Sequence, residues 1–212
     1  MLENINLTFH MFWEALTEGR FLELLRQYIF LDRTAIPAEM DLIKIQFDKN
    51  SLEAEFQFLE LRMDELDSKK WKFAVPSRRI KAYRNLRKGF RGFAVAQNST
   101  IIGDVWCVVT DGTGCVVKHP DLEMLGIECE HGDAYGFDMV IAPDYRGKKL
   151  AGPLQRYFQR TLKLEGFTKL YGFYWEDNLP AMGMHQSLNY RELPKRRVSR
   201  IFWYKRFDHV SL

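Results

Sequence analysis

The sequence predicts a mixed α/β fold, and three observations predict it. Two apolar, β-rich runs, residues 92–97 and 100–109, flank the short polar pair Asn98-Ser99, which is a hairpin signal. Beyond the hairpin, strand-like and helix-like patterns alternate. A strand is expected at 135–142, a helix at about 149–165, a strand at 169–175, a short helix at 179–188 and a last strand at 197–207. The chain has 212 residues, 46% of them hydrophobic, which suffices for one domain with a full core plus an extension. An antiparallel hairpin followed by alternating strands and helices requires a mixed sheet flanked by helices.

From the N-terminus, residues 8–31 read as an amphipathic helix or two short ones. Phe9, Phe12, Trp13 and Leu16 share a face, as do Leu22, Leu25 and Ile29 after Gly19. Residues 32–41 contain Pro37 and read as a connector, and LIKIQF (42–47) alternates as a strand does. Asn50, three residues before Glu53, marks a helix start, and Leu52, Phe56, Leu59, Met63 and Leu66 continue at helical spacing. The domain expectation is a helical extension over 1–41 and a second domain over 42–212.

Residues 76–91 hold seven basic side chains and no acidic one. Residues 111–133, rich in Gly and Asp, read as a loop insertion. In the helix at 149–165, Leu150, Leu154, Phe158 and Leu162 face inward. Pro153 is tolerated in the first turn and Gly166 is a stop.

Net charge is +3, which alone does not argue for nucleic acid. The aromatic residues near the basic runs form no recognisable RNA platform. Polar residues at Asn4, Asn6, His10 and Glu14 break the N-terminal apolar stretch, so no signal peptide is expected. No run of about 18 apolar residues exists, so no membrane span is expected. Cys107, Cys115 and Cys129 are too few, and odd in number, for a disulfide framework, and a cytoplasmic setting is the expectation.

The chemistry concentrates in residues 141–151, IAPDYRGKKLA, which join a strand end to a helix start. Such a junction offers backbone N–H groups without intrahelical partners, reinforced by the helix dipole. It is an anion site suited to a pyrophosphate. Arg146, Lys148 and Lys149 add positive charge, and Gly147 lets backbone approach a ligand. The same residues also fit an ordinary strand-to-helix loop with solvated lysines.

VIAPDYRGKKLAGPL resembles the central motif of the GNAT N-acyltransferases, a strand ending in V-x-P, then Arg/Gln-x-x-Gly-x-Gly/Ala and a helix. Arg146 fills the first position and Ala151 the last, while Lys149 stands where the family has its middle glycine. A second stretch, Asn178 to Tyr190, is similar to the family's N-x-x-A-x-x-L-Y-x-x-x-G-F. Asn178 and Ala181 match, His185 replaces the usual tyrosine, and Asn189-Tyr190 replaces Gly-Phe. Asn tolerates the left-handed backbone that such a turn needs. The resemblance covers residues 42–207 and is strongest over 135–190.

The resemblance implies a GNAT fold with a splayed, mostly antiparallel central sheet. It implies direct attack of an amine on the thioester of acetyl-CoA or another acyl-CoA, with no metal. Backbone N–H groups of Met139, Val140 and Ile141 would hold the thioester carbonyl. The amides of Arg146, Gly147, Lys148, Lys149, Leu150 and Ala151 would hold the pyrophosphate, and Asn178 would contact the donor's arm. His185 stands in the slot of the general acid, and Asp138 is the candidate base or orienting group, with Glu128 and Glu130 as weaker candidates.

Alternatives stay open. A longer acyl chain delivered by acyl carrier protein would use the basic runs, including Arg191, Lys195, Arg196, Arg197 and Arg200, for docking. A non-catalytic CoA-binding module is the reading from another class. The N-terminal helices pack on the domain, line an acyl or acceptor pocket, or form a homodimer face. Cys115, His119, Cys129 and His131 lack the common zinc-ligand spacing, and scattered thiols and surface histidines fit them better. The acceptor is a small-molecule, peptide or protein amine.

Overall fold

The computed structural model describes residues 2–17, 21–22, 29–46, 55–109, 119–201 and 204–209. The strands are β1 (Phe30–Asp41), β2 (Gln57–Leu61), β3 (Lys72–Phe73), β4 (Arg91–Gln97), β5 (Thr100–Val109), β6 (Asp133–Ile141), β7 (Lys169–Trp175), β8 (Arg191–Glu192), β9 (Arg196–Ile201) and β10 (Tyr204–His209). The helices are α1 (Leu2–Thr17), α2 (Met63–Asp67), α3 (Pro76–Arg87), α4 (Pro120–Leu125), α5 (Ala151–Leu164) and α6 (Leu179–Ser187). The chain forms two compact units. The first takes residues 1–39, 120–128 and 173–212, and the second takes 40–119 and 129–172. The sheet pairing is mostly antiparallel, as the mixed α/β expectation requires.

In the second unit the strand order is β7-β6-β5-β4-β2, with the short β3 running parallel on β5. The β4–β5 hairpin forms where the sequence places it. Asn98 (φ 47°) and Ser99 (φ 63°) both take left-handed backbone, as a two-residue turn matching the strand twist demands. Parallel pairing of β6 with β7 spans only 133–135 against 169–171.

Helix α5 lies on this sheet. Leu154, Phe158 and Leu162 are fully buried, so the predicted stripe is the inward face. Phe158 meets Phe93 of β4 with ring centroids 5.0 Å apart. Gly136 of β6 clears space for it, since a Cβ there would lie 3.1 Å from the Phe158 ring.

In the first unit the order is β10-β9-β1, and β8 also pairs with β1. The N–H of Glu176, just past β7, donates to the Thr34 carbonyl at 2.9 Å.

Several expected boundaries move. The first strand is not LIKIQF but β1, residues 30–41, which absorbs the expected connector; residues 42–46 are turn and irregular, and 47 lies outside the described residues. Pro37 fits in β1 because its ladder is interrupted there. β9 pairs with β1 up to Ala35 and β8 resumes at Ala38. The Pro37 carbonyl takes the N–H of Leu193 in the gap, so the missing Pro N–H falls where no ladder bond is due.

The expected helix through Phe56, Leu59 and Met63 is instead β2 followed by the short α2, because β2 pairs with β4 over five residue pairs. That pairing outweighs a helical spacing held by so few residues. Asn50, Leu52 and Glu53 lie outside the described residues. The last expected strand is a hairpin, β9 and β10. The insertion at 111–133 contains α4, and 110–118 lie outside the described residues. The N-terminal helix runs over 2–17, and Gly19 and Leu25 are outside the described set.

Candidate active site

Strand β6 organises the second unit's site through one irregularity. Asp104 pairs with Val140 and Trp106 with Phe137, so β6 carries one residue more than β5 across this interval. The extra residue is accommodated at Asp138, whose φ is 54°. This is a β-bulge, and aspartate tolerates the left-handed region better than most residues. Past the bulge, the Ala142 N–H donates to Ile102 at 2.7 Å, towards β5. Alternation along the strand then turns the Val140 backbone to β5 and the Met139 and Ile141 N–H groups to the opposite edge. There, beyond residue 135, no strand pairing with β7 is found among the described residues.

A single 3-10 turn, Pro143–Tyr145, follows β6. Tyr145 N–H donates to Ala142 and Arg146 N–H to Pro143, at 2.9 and 3.1 Å. The Arg146 amide, expected to face an anion, is instead used in closing this turn. The N–H groups of Gly147, Lys148, Lys149, Leu150, Ala151 and Gly152 meet no acceptor among the described residues. Gly147 (φ 80°) and Lys149 (φ 57°) are left-handed, and Leu150 at the mouth of α5 returns to φ −77°. A left-handed residue followed by a right-handed one curls successive N–H groups into an anion-binding concavity. The dipole of α5 adds to it.

Arg146, Gly147, Lys148 and Lys149 are exposed. A Cβ at Gly147 would meet nothing within 4 Å, so the backbone here is open to a ligand. The Arg146 Nε donates to the Ile141 carbonyl at 3.3 Å, and the Lys148 ammonium sits 4.7 Å from the centre of the Tyr145 ring.

Asp138 is ion-paired. Its Oδ2 accepts from Arg78 at 2.9 Å and lies 2.6 Å from Lys81 Nζ. Although burial opposes its charge, Arg78 and Lys81 hold its pKa below the ordinary carboxylate range. Lys81, in turn, is pushed below the ordinary lysine range by burial. Arg78 also forks onto Asp104, whose Oδ1 accepts from the Trp106 indole at 2.7 Å. The basic run 76–91 is thus only partly a solvated face. Arg79, Arg87 and Lys88 are exposed, whereas Arg78 is buried among carboxylates. Removing one member of such a set costs about 3–5 kcal/mol. Arg78, Lys81 and Asp104 escaped the sequence reading. The available signal was a lone carboxylate, Asp104, inside the apolar run TIIGDVWCVV, which needs a buried cation partner.

Asn178 and His185 belong to the first unit. Asn178 caps α6, its Oδ1 accepting the Ala181 N–H at 3.3 Å, and its own N–H donates to Trp175. His185 is 8% exposed on α6, with ring centroids 5.0 Å from Tyr174 and 4.7 Å from Tyr190. Its Nδ1 lies 2.8 Å from the Ala181 carbonyl. A carbonyl only accepts, so Nδ1 carries the proton and the neutral ring leaves Nε2 as an acceptor. Burial lowers the His185 pKa, which favours that neutral form. Asn189 takes φ 59°, the left-handed turn expected of the Asn189-Tyr190 pair.

Burial pushes the thiols of Cys107 and Cys129 up to about 12, so neither supplies a thiolate at neutral pH. Cys115 lies outside the described residues, and His119 packs against Phe90, Tyr135 and Phe137. Among the described residues no group of three or more His, Cys, Asp and Glu side chains is placed to hold a metal. Among them no helix is long and apolar enough to cross a membrane.

Residues 57–190 match the model of the acetyltransferase (GNAT) family. No curated protein matches the chain. Among solved structures, a GCN5-related glucosamine N-acetyltransferase region of a fungal multi-domain β-N-acetylglucosaminidase is 13% identical, with a TM-score of 0.59 over 86% of this chain and 22% of that one. A GNAT-family acetyltransferase from Colwellia psychrerythraea is 14% identical, with a TM-score of 0.51 over 80% of this chain and 56% of that one. A Drosophila protein is 12% identical, with a TM-score of 0.50 over 86% and 55%. The chain thus spans little more than half, or less, of the length of these structures, and the likeness is one of fold.

Proposed function

The chain belongs to the GNAT acetyltransferase family, and from that premise we propose that it transfers an acyl group, most simply acetyl, from acyl-CoA to an amine. The observation that carries this reading is the row of six amides, Gly147 to Gly152, at the start of α5, which meet no acceptor among the described residues. They would take the CoA pyrophosphate, with Arg146, Lys148 and Lys149 supplying charge around it. The Met139 and Ile141 N–H groups, facing the open edge of β6, would polarise the thioester carbonyl. The amide face of Asn178 not used in capping would meet the pantetheine arm.

The acceptor's neutral amine attacks the thioester carbon directly, the carbon–sulfur bond breaks, CoA leaves as thiolate, and the surplus proton on nitrogen passes through water to that thiolate. Neither described cysteine is suited to an acyl-enzyme route, which favours direct attack. Asp138 would act on the amine electrostatically rather than as a strong base, since its neighbours keep it ionised. Its Oδ1 meets no donor among the described residues and the side chain is 23% exposed, which leaves it a face for an ammonium group. His185 would protonate the departing thiolate only after taking up a proton itself.

A longer acyl chain from acyl carrier protein is the second reading. The exposed Arg79, Arg87 and Lys88 on and beside α3 favour it, because an acidic carrier would be steered to them. Residues 42–212 would form the acyltransferase domain and 1–41 its extension. The test is thiol release from acetyl-CoA with a panel of amino acids, polyamines, aminoglycosides and peptides, run beside an acylated carrier protein. Release from acetyl-CoA alone supports the first reading, and release from the carrier alone supports the second. CoA binding without any release would leave a non-catalytic module.

A further inference from the structure

We propose that Arg78 is a positioning residue for the donor's carbonyl, because it fixes the β6 bulge from which Met139 presents its N–H. The inference rests on the donor-site reading above.

The guanidinium has five N–H donors, and the bulge and its neighbour occupy four of them. Nε and one donor of Nη2 take the Asp104 carboxylate on β5, the first at 3.1 Å. Nη1 takes the Asp138 carboxylate at 2.9 Å, and Nη2 also takes the Asp138 backbone carbonyl at 3.2 Å. The last contact decides the geometry. The Asp138 carbonyl and the Met139 N–H belong to one planar trans peptide, so they point in opposite directions. Holding the carbonyl towards Arg78 aims the Met139 N–H away from it. That orientation needs the left-handed φ of 54° at Asp138, which an isolated strand would not keep.

The brace is itself anchored. Asp104 is 2% exposed and is fixed by the Trp106 indole, and Lys81 holds Asp138 from the next turn of α3. Two cations face two carboxylates, so the set is neutral. Lysine at position 78 would keep the charge but lose the planar fork that reaches both strands at once.

The test uses the full chain with CoA and with acetyl-CoA carrying a 13C carbonyl. Arg78→Lys and Asp104→Asn are compared with Lys72→Ala, an exposed lysine of β3. Calorimetry gives the affinities, and infrared spectroscopy gives the bound thioester carbonyl stretch. In the wild type and in Lys72→Ala the stretch falls to lower wavenumber on binding. In both brace variants that displacement is at least about halved, while CoA affinity stays within about twofold, because the pyrophosphate cradle is untouched. A wild-type displacement in folded Arg78→Lys and Asp104→Asn would overturn the proposal. Should Arg78→Lys fail to fold, Asp104→Asn, which keeps shape but replaces one of the two accepting oxygens with a donor, decides it. CoA binding with no carbonyl displacement in the wild type overturns this role and leaves the donor site standing. No CoA binding in the wild type removes the donor site, and this role with it.

Discussion

Gly147 and Lys149, two residues apart at the entrance to α5, both hold left-handed backbone, yet only Gly147 does so without a Cβ. Left-handed backbone costs an ordinary L-residue about 1–2 kcal/mol, which Lys149 bears while it keeps an exposed cation beside the open amides. Lys149→Gly is therefore expected to raise folding stability by about 0.5–1 kcal/mol, once glycine's extra unfolded-state freedom is set against the relief. CoA affinity should weaken modestly and become less sensitive to salt. Gly147→Ala should act oppositely, losing about 1 kcal/mol of stability although no atom blocks the new methyl. Urea unfolding and calorimetry at two salt concentrations check both.

Phe158 supplies the second expectation. It is fully buried between α5 and the sheet, so Phe158→Ala should cost about 3–5 kcal/mol. Gly136→Ala presses a methyl to 3.1 Å from the same ring and should cost about 1–3 kcal/mol. In Gly136→Ala/Phe158→Leu the two changes should partly compensate, because the smaller side chain admits the methyl. Strict additivity of the separate Gly136→Ala and Phe158→Leu losses in urea melts would contradict this packing.

The Asn98-Ser99 turn gives a gain. Both residues are left-handed, and glycine is favoured at the second position. Ser99→Gly should stabilise the protein by about 0.5–1 kcal/mol, read as a higher urea midpoint at unchanged slope. A loss of stability would show that the hairpin does not depend on this turn geometry.

These three sites also mark what was readable in the sequence. The hairpin was legible because turn chemistry and the flanking apolar runs agree, and α5 because its stripe from Leu150 to Leu162 is followed by a glycine stop. The motif at 141–151 marked the stretch whose amides stay open before α5, since such a turn requires particular residues at particular spacings. β1 was not legible, because Pro37 argues against a strand unless the break between β8 and β9 is known. β2 was hidden by a helical spacing that arises from few residues. Arg78 was hidden because seven cations in one run look alike, and only the fold selects the one that meets Asp104 and Asp138. The bulge leaves no local signature at all, since register against β5 creates it.

His185 makes the fourth expectation. Its folded pKa lies below the ordinary 6.5, so the unfolded chain binds its proton more readily. Stability from this group is intact above pH 6.5 and falls as pH drops below it, levelling off beneath the folded value. His185→Phe should remove that part of the decline between pH 7.5 and pH 5, measured as the difference in Tm between the two proteins. If His185 also protonates the leaving thiolate, turnover should fall as pH rises through its lowered pKa. Turnover that is flat from pH 6.5 to 8 and survives His185→Phe would mean the thiolate departs unassisted.

The most direct measurement is a proton–nitrogen NMR titration of the isotopically labelled chain with CoA. If backbone nitrogen atoms between the 3-10 turn and α5 grip the diphosphate, the amide protons of Gly147 to Gly152 should move downfield together and saturate at one equivalent, whereas Arg146, already bonded to Pro143, should move little. CoA binding that leaves those six resonances in place would contradict the account.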